Sequence, residues 1–310
     1  MKEVKAFSTK TSAAKLSVTS NSLLVVAKIA AGIITGSVSI LAEAIHSLLD
    51  LAAAVIAFLS VRISDKPADA GHPFGHGKVE NVSGIIEAIL IIIAGIWIIY
   101  EAVQRIVTRT AIQLAGVGIG VMALAIVINI LVSRKLHKVS QATDSPALEA
   151  DAWHLSTDVY TSVAVLVSLL IIHFTGFILL DPIIAIIVAV VIMRTGYQLT
   201  RKSFGVLVDE RLPASEEAII TEVIKEHCNK VVGFHSLRTR KAGSQRQIDF
   251  HLVMAKNASL ESVHQMCDHL EEDIKTKLPQ ATINIHVEPC QMECNQCGIQ
   301  NCSLRRKSKS

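Results

Sequence analysis

Two pairs of potential metal ligands recur with the same spacing in the apolar part of the sequence. One segment carries His46 and Asp50, and a later segment carries His154 and Asp158. Residues four apart lie on the same face of an α-helix, so each pair would present an imidazole and a carboxylate together. Two such faces in contact offer four nitrogen and oxygen ligands, a set that suits a tetrahedral ion such as Zn²⁺. Protons would compete with the metal for these ligands, because histidine titrates near neutral pH.

Long apolar runs must position these pairs. The chain of 310 residues is 51% hydrophobic and only 18% charged, and its mean hydropathy is +0.46. Runs of roughly 20 apolar residues have the length needed to cross a bilayer core about 30 Å thick. Small residues are frequent in the runs, which favours closely packed helices. The runs predict six transmembrane helices, at about residues 14–36, 38–63, 79–104, 111–133, 147–174 and 178–199.

The depth of the two aspartates in spans two and five favours a functional site. A charged Asp at the centre of a membrane helix costs about 2.5–3.5 kcal/mol on insertion scales. Hydrogen bonding between helices would explain one polar pair better than it explains two pairs of identical spacing. For the other polar residues of the spans we expect helix–helix hydrogen bonds, a polar lining or extension towards the membrane surface; these are Asn21, Lys28, Glu43, Glu87 and Asn129.

The distribution of lysine and arginine predicts the orientation. These residues precede span one, separate spans two and three, and follow spans four and six, whereas the opposite side carries only Arg105 and Arg109. The positive-inside rule therefore predicts cytoplasmic termini in a multi-pass protein of the cell's inner membrane. No cleavable signal peptide is evident, because the first apolar run is too long for one.

Beyond about residue 205 the composition becomes that of a soluble domain. The pattern predicts helices at about 213–228 and 259–278, and strands at about 231–240, 246–254 and 281–287. We therefore expect a six-helix membrane bundle with a C-terminal cytoplasmic α+β domain of order αββαβ. The expected divisions are an N-terminus at 1–13, a transport domain at 14–204, a metal-binding and dimerisation domain at 205–289 and a cysteine-rich tail at 290–310.

A loop between spans two and three holds three further potential ligands, Asp69, His72 and His76. Glycine and proline lie among them, so the residues alone leave open a turn with solvated histidines.

The C-terminal domain places His235, His251 and His286 on predicted strands and His264 on the second helix. Glu288 follows His286 by two residues, so both point to the same strand face. Taken singly, each of these histidines would be explained as an ordinary surface residue.

These motifs resemble the cation diffusion facilitator family of metal/proton antiporters over about residues 10–289. The six spans, the two His-x-x-x-Asp motifs, the loop from Asp69 to Lys78 and the small C-terminal domain carry the resemblance. It implies a homodimer, a metallochaperone-like cytoplasmic domain and metal export by alternating access. Some bacterial members have Asp where this chain has His46; the histidine resembles the zinc-type members and leaves iron, cobalt, cadmium and nickel open.

The resemblance also implies roles for individual residues. The transport site would be His46, Asp50, His154 and Asp158, with Leu155 as a gate; the loop would be a secondary metal site; and Lys78 and Asp209 would form a salt bridge between the two domains. A binuclear zinc site near the dimer interface would use the residues His235, His251, His264, His286 and Glu288.

The tail carries four cysteines that the common family pattern lacks: Cys290, Cys294, Cys297 and Cys302. A cytoplasmic location argues against stable disulfides, and four thiolates could bind Zn²⁺ or copper(I). Thiols without a ligand are the alternative.

Other functions are less well supported by the sequence. An HExxH motif, a dense histidine box and a G-x-S-x-G nucleophile elbow are all absent from it, so we expect no enzyme. The net charge of +3 and 4% aromatic content give no indication of nucleic-acid binding. A membrane metal sensor would need the binding sites, but not the His/Asp pairs within the spans.

Overall fold

The computed structural model describes residues 2–35, 38–108, 116–175, 180–227 and 231–291. The chain divides into two compact units, Met1–Leu207 and Val208–Ser310. The first unit contains α1 (Lys2–Thr35), α2 (Val38–Ser64), α3 (Val79–Thr108), α4 (Gly116–Thr143), α5 (Pro146–Thr175) and α6 (Leu180–Leu207). The second contains α7 (Ala214–Glu226), β1 (Gly233–Ala242), β2 (Gln245–Met254), α8 (Leu260–Lys277) and β3 (Ala281–Pro289).

The predicted fold class, a helical transmembrane bundle followed by a small α+β domain, is confirmed. Among the described residues, four helices contain stretches long and apolar enough to cross a membrane: Thr9–Ile34, Ala44–Ser64, Val79–Thr108 and Pro182–Leu207. Several helices run beyond the predicted spans; α1 begins at Lys2 and α4 continues to Thr143. The predicted spans follow apolar composition, which marks only the stretch of a helix that can lie in the bilayer. Polar residues with high helix propensity extend the helix beyond that stretch.

Helix packing in the first unit brings α2 against α5. The most extensive contacts join α3 with α6, α1 with α2 and α4 with α5, and α2 also contacts α3 and α5. The buried face of α2 presents small residues, among them Ala53, Ala54 and Ala57, each fully buried. Small side chains let helix backbones approach closely, so the sequence of α2 permits the contact that the two His/Asp pairs require.

A buried ion pair joins several segments at the end of the bundle where α1 and α3 begin. Lys10 Nζ lies 3.0 Å from Glu80 Oε1, with side chains 2% and 1% exposed. Ser64, the last residue of α2, donates to the same oxygen at 2.8 Å, and Ser145, just before α5, donates to the other carboxylate oxygen. Loss of one partner from a buried pair typically costs about 3–5 kcal/mol. The Glu80 carboxylate therefore ties together α1, α2, α3 and the start of α5.

The second unit is a three-stranded sheet of order β1-β2-β3, with β1 and β2 antiparallel and β2 and β3 parallel. The hairpin between β1 and β2 turns at Gly243, whose φ of 61° favours glycine. Helix α8 connects the two parallel strands; Ser259 caps it by accepting from the Ser262 N–H at 3.2 Å. Its buried residues Met266 and Leu270, one turn apart, pack into the core over the sheet.

Gly196 of α6 lies where the backbones of α3 and α6 approach closely, so a substitution there tests this packing. A Cβ at Gly196 would lie 2.8 Å from Ile92 Cγ1 and 3.0 Å from the Ala88 carbonyl oxygen, whereas a Cβ at Gly120 would meet nothing within 4 Å. We predict that Gly196→Ala lowers the stability of the purified protein by about 1–3 kcal/mol, because the backbone of α3 must move. Gly120→Ala, the matched control, leaves the melting temperature in detergent unchanged or slightly higher. Equal melting temperatures for the two variants would contradict this packing.

Candidate functional site

The two His/Asp pairs meet where α2 packs on α5. His46 and Asp50 lie one turn apart on α2, and His154 and Asp158 lie one turn apart on α5. His154 Nε2 lies 3.2 Å from Asp50 Oδ1, and His46 Nε2 lies 3.9 Å from the same oxygen. Ligand atoms of His46, Asp50 and Asp158 all fall within 4.8 Å of one another. The structure thus brings the four predicted residues together, with Asp50 between the two imidazoles.

The two sides of this cluster differ in exposure. The side chains of Asp50 and His154 are 8% and 9% exposed, whereas that of His46 is 50% exposed. A buried carboxylate needs a charged or hydrogen-bonding partner, and His154 supplies one for Asp50. His46 is the most exposed of these three side chains. Leu155, the predicted gate, is fully buried in the core beside Leu148 and Ala152, and its gating role stays a prediction.

Buried acidic residues beside His154 extend the polar interior. Asp151, on α5, is 1% exposed and Glu87, on α3, is fully buried. Both interact electrostatically with His154. The sequence reasoning missed Asp151, although it precedes His154 by three residues and so shares its helix face. It assigned Glu87 only to helix packing or a polar lining.

Among the other polar residues of the spans, the structure gives a contact between helices for Lys28. Lys28 of α1 is buried and donates to Ser47 of α2 at 2.7 Å, a hydrogen bond between helices. Asn21 and Asn129 are also buried, and the side chain of Glu43 lies outside the described residues.

The loop between α2 and α3 gathers Asp69, His72 and His76, whose ligand atoms all lie within 4.8 Å of one another. Asp69 Oδ1 accepts from the backbone N–H groups of Gly71 at 2.9 Å and His72 at 2.7 Å. The hydrogen bond from the His72 N–H is the main reason that the pKa of Asp69 is lowered from its usual value. The ring centroids of the two histidines are 4.4 Å apart. The Asp69 carboxylate therefore has two roles: it accepts the backbone N–H groups that close the turn, and it faces the imidazoles of His72 and His76.

Histidines from three strands form a row across the sheet of the second unit. His251 on β2 is paired in register with His235 on β1 and with His286 on β3. Glu288 contacts the row: its carboxylate lies 2.7 Å from His251 Nδ1, 3.6 Å from His235 Nε2 and 3.8 Å from His286 Nε2. Ligand atoms of His235, His251 and Glu288 fit within 4.8 Å of one another.

An irregularity in β1 adjoins this row. The pairing with β2 shifts between His235 and Arg238, and Ser236 has a φ of 55°. Such a bulge re-aims side chains and is common next to binding sites. His264 lies apart from the group: it is on α8, 76% exposed, with Nδ1 3.7 Å from Asp268.

The tail and the predicted interdomain pair are only partly described. Cys290 is 7% exposed, and its N–H donates to the Met254 carbonyl at 2.8 Å, which holds it at the end of the sheet. Cys294, Cys297 and Cys302 lie outside the described residues.

Lys78 donates to the Leu207 carbonyl at 3.4 Å, and Asp209 accepts from Arg240 at 3.1 Å. A salt bridge between Lys78 and Asp209 would join the two units and stays a prediction.

Comparison with known proteins gives consistent matches along the chain. Residues 14–208 match the family model of the cation efflux transmembrane domain, and residues 212–290 match that of the cation efflux protein cytoplasmic domain. An uncharacterized transporter of Synechocystis is 36% identical over 262 residues, covering 84% of each chain. The cation-efflux pump FieF of Salmonella paratyphi A is 33% identical over 269 residues, covering 87% of this chain and 89% of its own. A solved structure of CzrB is 34% identical and covers 27% of this chain and 97% of its own, with a TM-score of 0.26.

Glu288 offers a test of the histidine row, because its carboxylate is the group nearest to all three imidazoles. We predict that Glu288→Ala weakens zinc binding at this cluster by about tenfold or more, since even ligand-supporting groups contribute that much to metal affinity. Titration calorimetry of the full-length protein measures the change. Glu271→Gln is the matched control, because Glu271 pairs only with Lys275 on the exposed face of α8 among the contacts the structure describes. A Glu288→Ala isotherm that superimposes on that of the wild type would contradict the assignment.

Proposed function

The chain belongs to the cation efflux family of membrane transporters, and on that basis we propose that it exports divalent metal ions, chiefly Zn²⁺, in exchange for protons. The observation that carries the proposal is the position of Asp50, 3.2 Å from His154 on the facing helix and 3.9 Å from His46 on its own helix. Three further ligand residues around one buried carboxylate form a cation site within the bundle. The cation is the substrate of this site, since a transporter must release what it binds.

The choice of zinc rests on the ligand types. Two imidazoles and two carboxylates match the coordination that Zn²⁺ favours in proteins, and they bind it less tightly than a set of thiolates would. Affinity for other first-row divalent ions follows a general order rather than a sharp selection. Fe²⁺, Co²⁺ and Cd²⁺ are therefore the competing substrates that a transport assay should include.

The exchange for protons follows from the contact between His154 and Asp50. Without metal, a protonated His154 donates from Nε2 to the Asp50 carboxylate and neutralises it. Binding of Zn²⁺ requires the neutral imidazole, so the proton leaves as the metal–nitrogen bond forms. If the site opens alternately to the two sides, metal bound on one side is exchanged for a proton on the other. The buried carboxylate makes the exchange compulsory, because an unneutralised charge there is costly.

The second unit would regulate this exchange in a homodimer. The matched cytoplasmic domain, the histidine row and Glu288 together support a metal-binding dimerisation domain. Metal there shifts the transport equilibrium only if it binds the two conformations with different affinity. We place the protein in the inner membrane with both termini in the cytoplasm, the side with more lysine and arginine.

The proposal predicts that Asp50→Ala and Asp158→Ala each abolish zinc flux. The purified protein is reconstituted in vesicles, a pH gradient is imposed, and zinc entry is followed with a trapped fluorescent indicator. Collapse of the gradient should also stop net accumulation by the wild type. Glu101→Gln is the control, because Glu101 pairs with Arg105 on the exposed part of α3, and its flux should equal that of the wild type.

Three results would count against parts of the proposal. Undiminished flux in both aspartate variants would reject the assigned site. Flux that ignores the pH gradient would reject exchange for protons. Zinc binding without flux of any tested metal would favour a sensor over a transporter.

A further inference from the structure

The interior beside the transport site contains an acidic side chain that the proposed exchange does not use. Glu87, on α3, is fully buried. Its electrostatic partners include Asp151 and His154, both on α5. A buried carboxyl group within a membrane helix is expensive and calls for a functional explanation.

His154 and Glu87 each have one polar atom engaged and one without a partner. His154 Nε2 lies 3.2 Å from Asp50 Oδ1, whereas His154 Nδ1 is buried and has no hydrogen-bond partner among the described residues. Glu87 Oε1 accepts from Ser83 at 3.2 Å, whereas Glu87 Oε2 is buried and likewise unpartnered there. An imidazole nitrogen and a carboxylate oxygen on two packed helices are thus complementary.

We propose that Glu87 is a positioning residue of the transport site, which accepts the Nδ1–H of His154 either directly or through one bridging water. This contact would fix the tautomer in which the Nε2 lone pair faces Asp50 and the metal. Histidines that ligate metals almost always donate their other ring N–H to a carboxylate, a carbonyl or a water. The inference rests on the proposed function, because it assigns to Glu87 the support of one of the proposed ligands.

Glu87 fits this role better than Asp151, the other acidic residue nearby. Both carboxyl groups interact electrostatically with His154, and both oxygens of Asp151 are buried and unpartnered among the described residues. Asp151, however, lies on the same helix as His154, whereas Glu87 approaches from the facing helix α3, where its Ser83 contact already orients the carboxylate.

The test compares Glu87→Leu and Glu87→Gln with the wild type in the full-length protein. Equilibrium titration with Zn²⁺ gives the Kd of the transport site, identified as the binding that Asp50→Ala removes; vesicle flux gives KM and the maximal rate. We expect Glu87→Leu to raise both Kd and KM by about 10–100-fold, with little change in the maximal rate. Glu87→Gln retains an acceptor oxygen and should recover most of the affinity. Glu101→Gln, on the same helix, should match the wild type.

The outcomes separate this inference from the proposed function. If the wild type binds zinc at the Asp50-dependent site but does not transport it, the proposed function fails while the Kd comparison still decides the role of Glu87. A Kd for Glu87→Leu within about twofold of the wild type overturns the inference. It is also overturned if Asp151→Asn alone weakens binding, or if the Asp50-dependent site is absent. A lowered melting temperature with no recovery in Glu87→Gln would show that Glu87 serves packing only.

Discussion

The buried carboxylate of Asp50 imposes the constraint on which the transmembrane unit depends. A charge in an apolar helix bundle must be neutralised or hydrogen-bonded, and the cost of failing to do so is several kcal/mol. Here the nearest partner, His154, belongs to another helix, so the site exists only while α2 and α5 remain packed. The small residues along the buried face of α2 permit that approach. The packing of α2 against α5 and the arrangement of the ligands therefore depend on each other.

The bundle contains two kinds of buried charge pair, and their difference has consequences. Glu80 is paired with Lys10, whose ammonium group has no lone pair for a metal ion, and it also accepts from serines at the ends of two other segments. Asp50 is paired with His154, whose imidazole can lose a proton and ligate a metal ion. The first pair can only hold segments together. In the proposed mechanism the second gives up its proton and takes a metal ion in its place, so the choice of lysine or histidine would separate a structural pair from a functional one.

The sequence predicted the local features and the meeting of the two His/Asp pairs, but not the other interactions of that site, such as those of Asp151 and Glu87 with His154. The four-residue spacing of His46 and Asp50 is read directly from helix geometry, and the αββαβ order follows from alternation and from breakers such as Pro279. The family resemblance grouped His235, His251 and His286, but their alignment across the sheet and the bulge at Ser236 arise from strand pairing, which the sequence does not specify. The relation of Glu87 to His154 likewise needs the packing of α3 on α5. His264 lies on α8 with Asp268 as its described contact, and its role in the predicted site stays a prediction.

The surroundings of the clusters explain why only one of them would couple metal to protons. Asp69 in the loop is 56% exposed and already accepts two backbone N–H groups, so its carboxylate remains satisfied when a metal departs. Glu288 is about one-third exposed and contacts His251, so water and an imidazole can replace a metal there as well. Asp50 is almost fully enclosed and has only histidines close enough to neutralise it among the contacts described. In the proposed mechanism, departure of a metal from Asp50 would therefore require a proton on a neighbouring imidazole, whereas the two more exposed clusters would empty without one. The burial of Asp50 would thus couple metal release to proton uptake at the transport site. Occupancy of the two more exposed clusters would depend on the metal concentration alone.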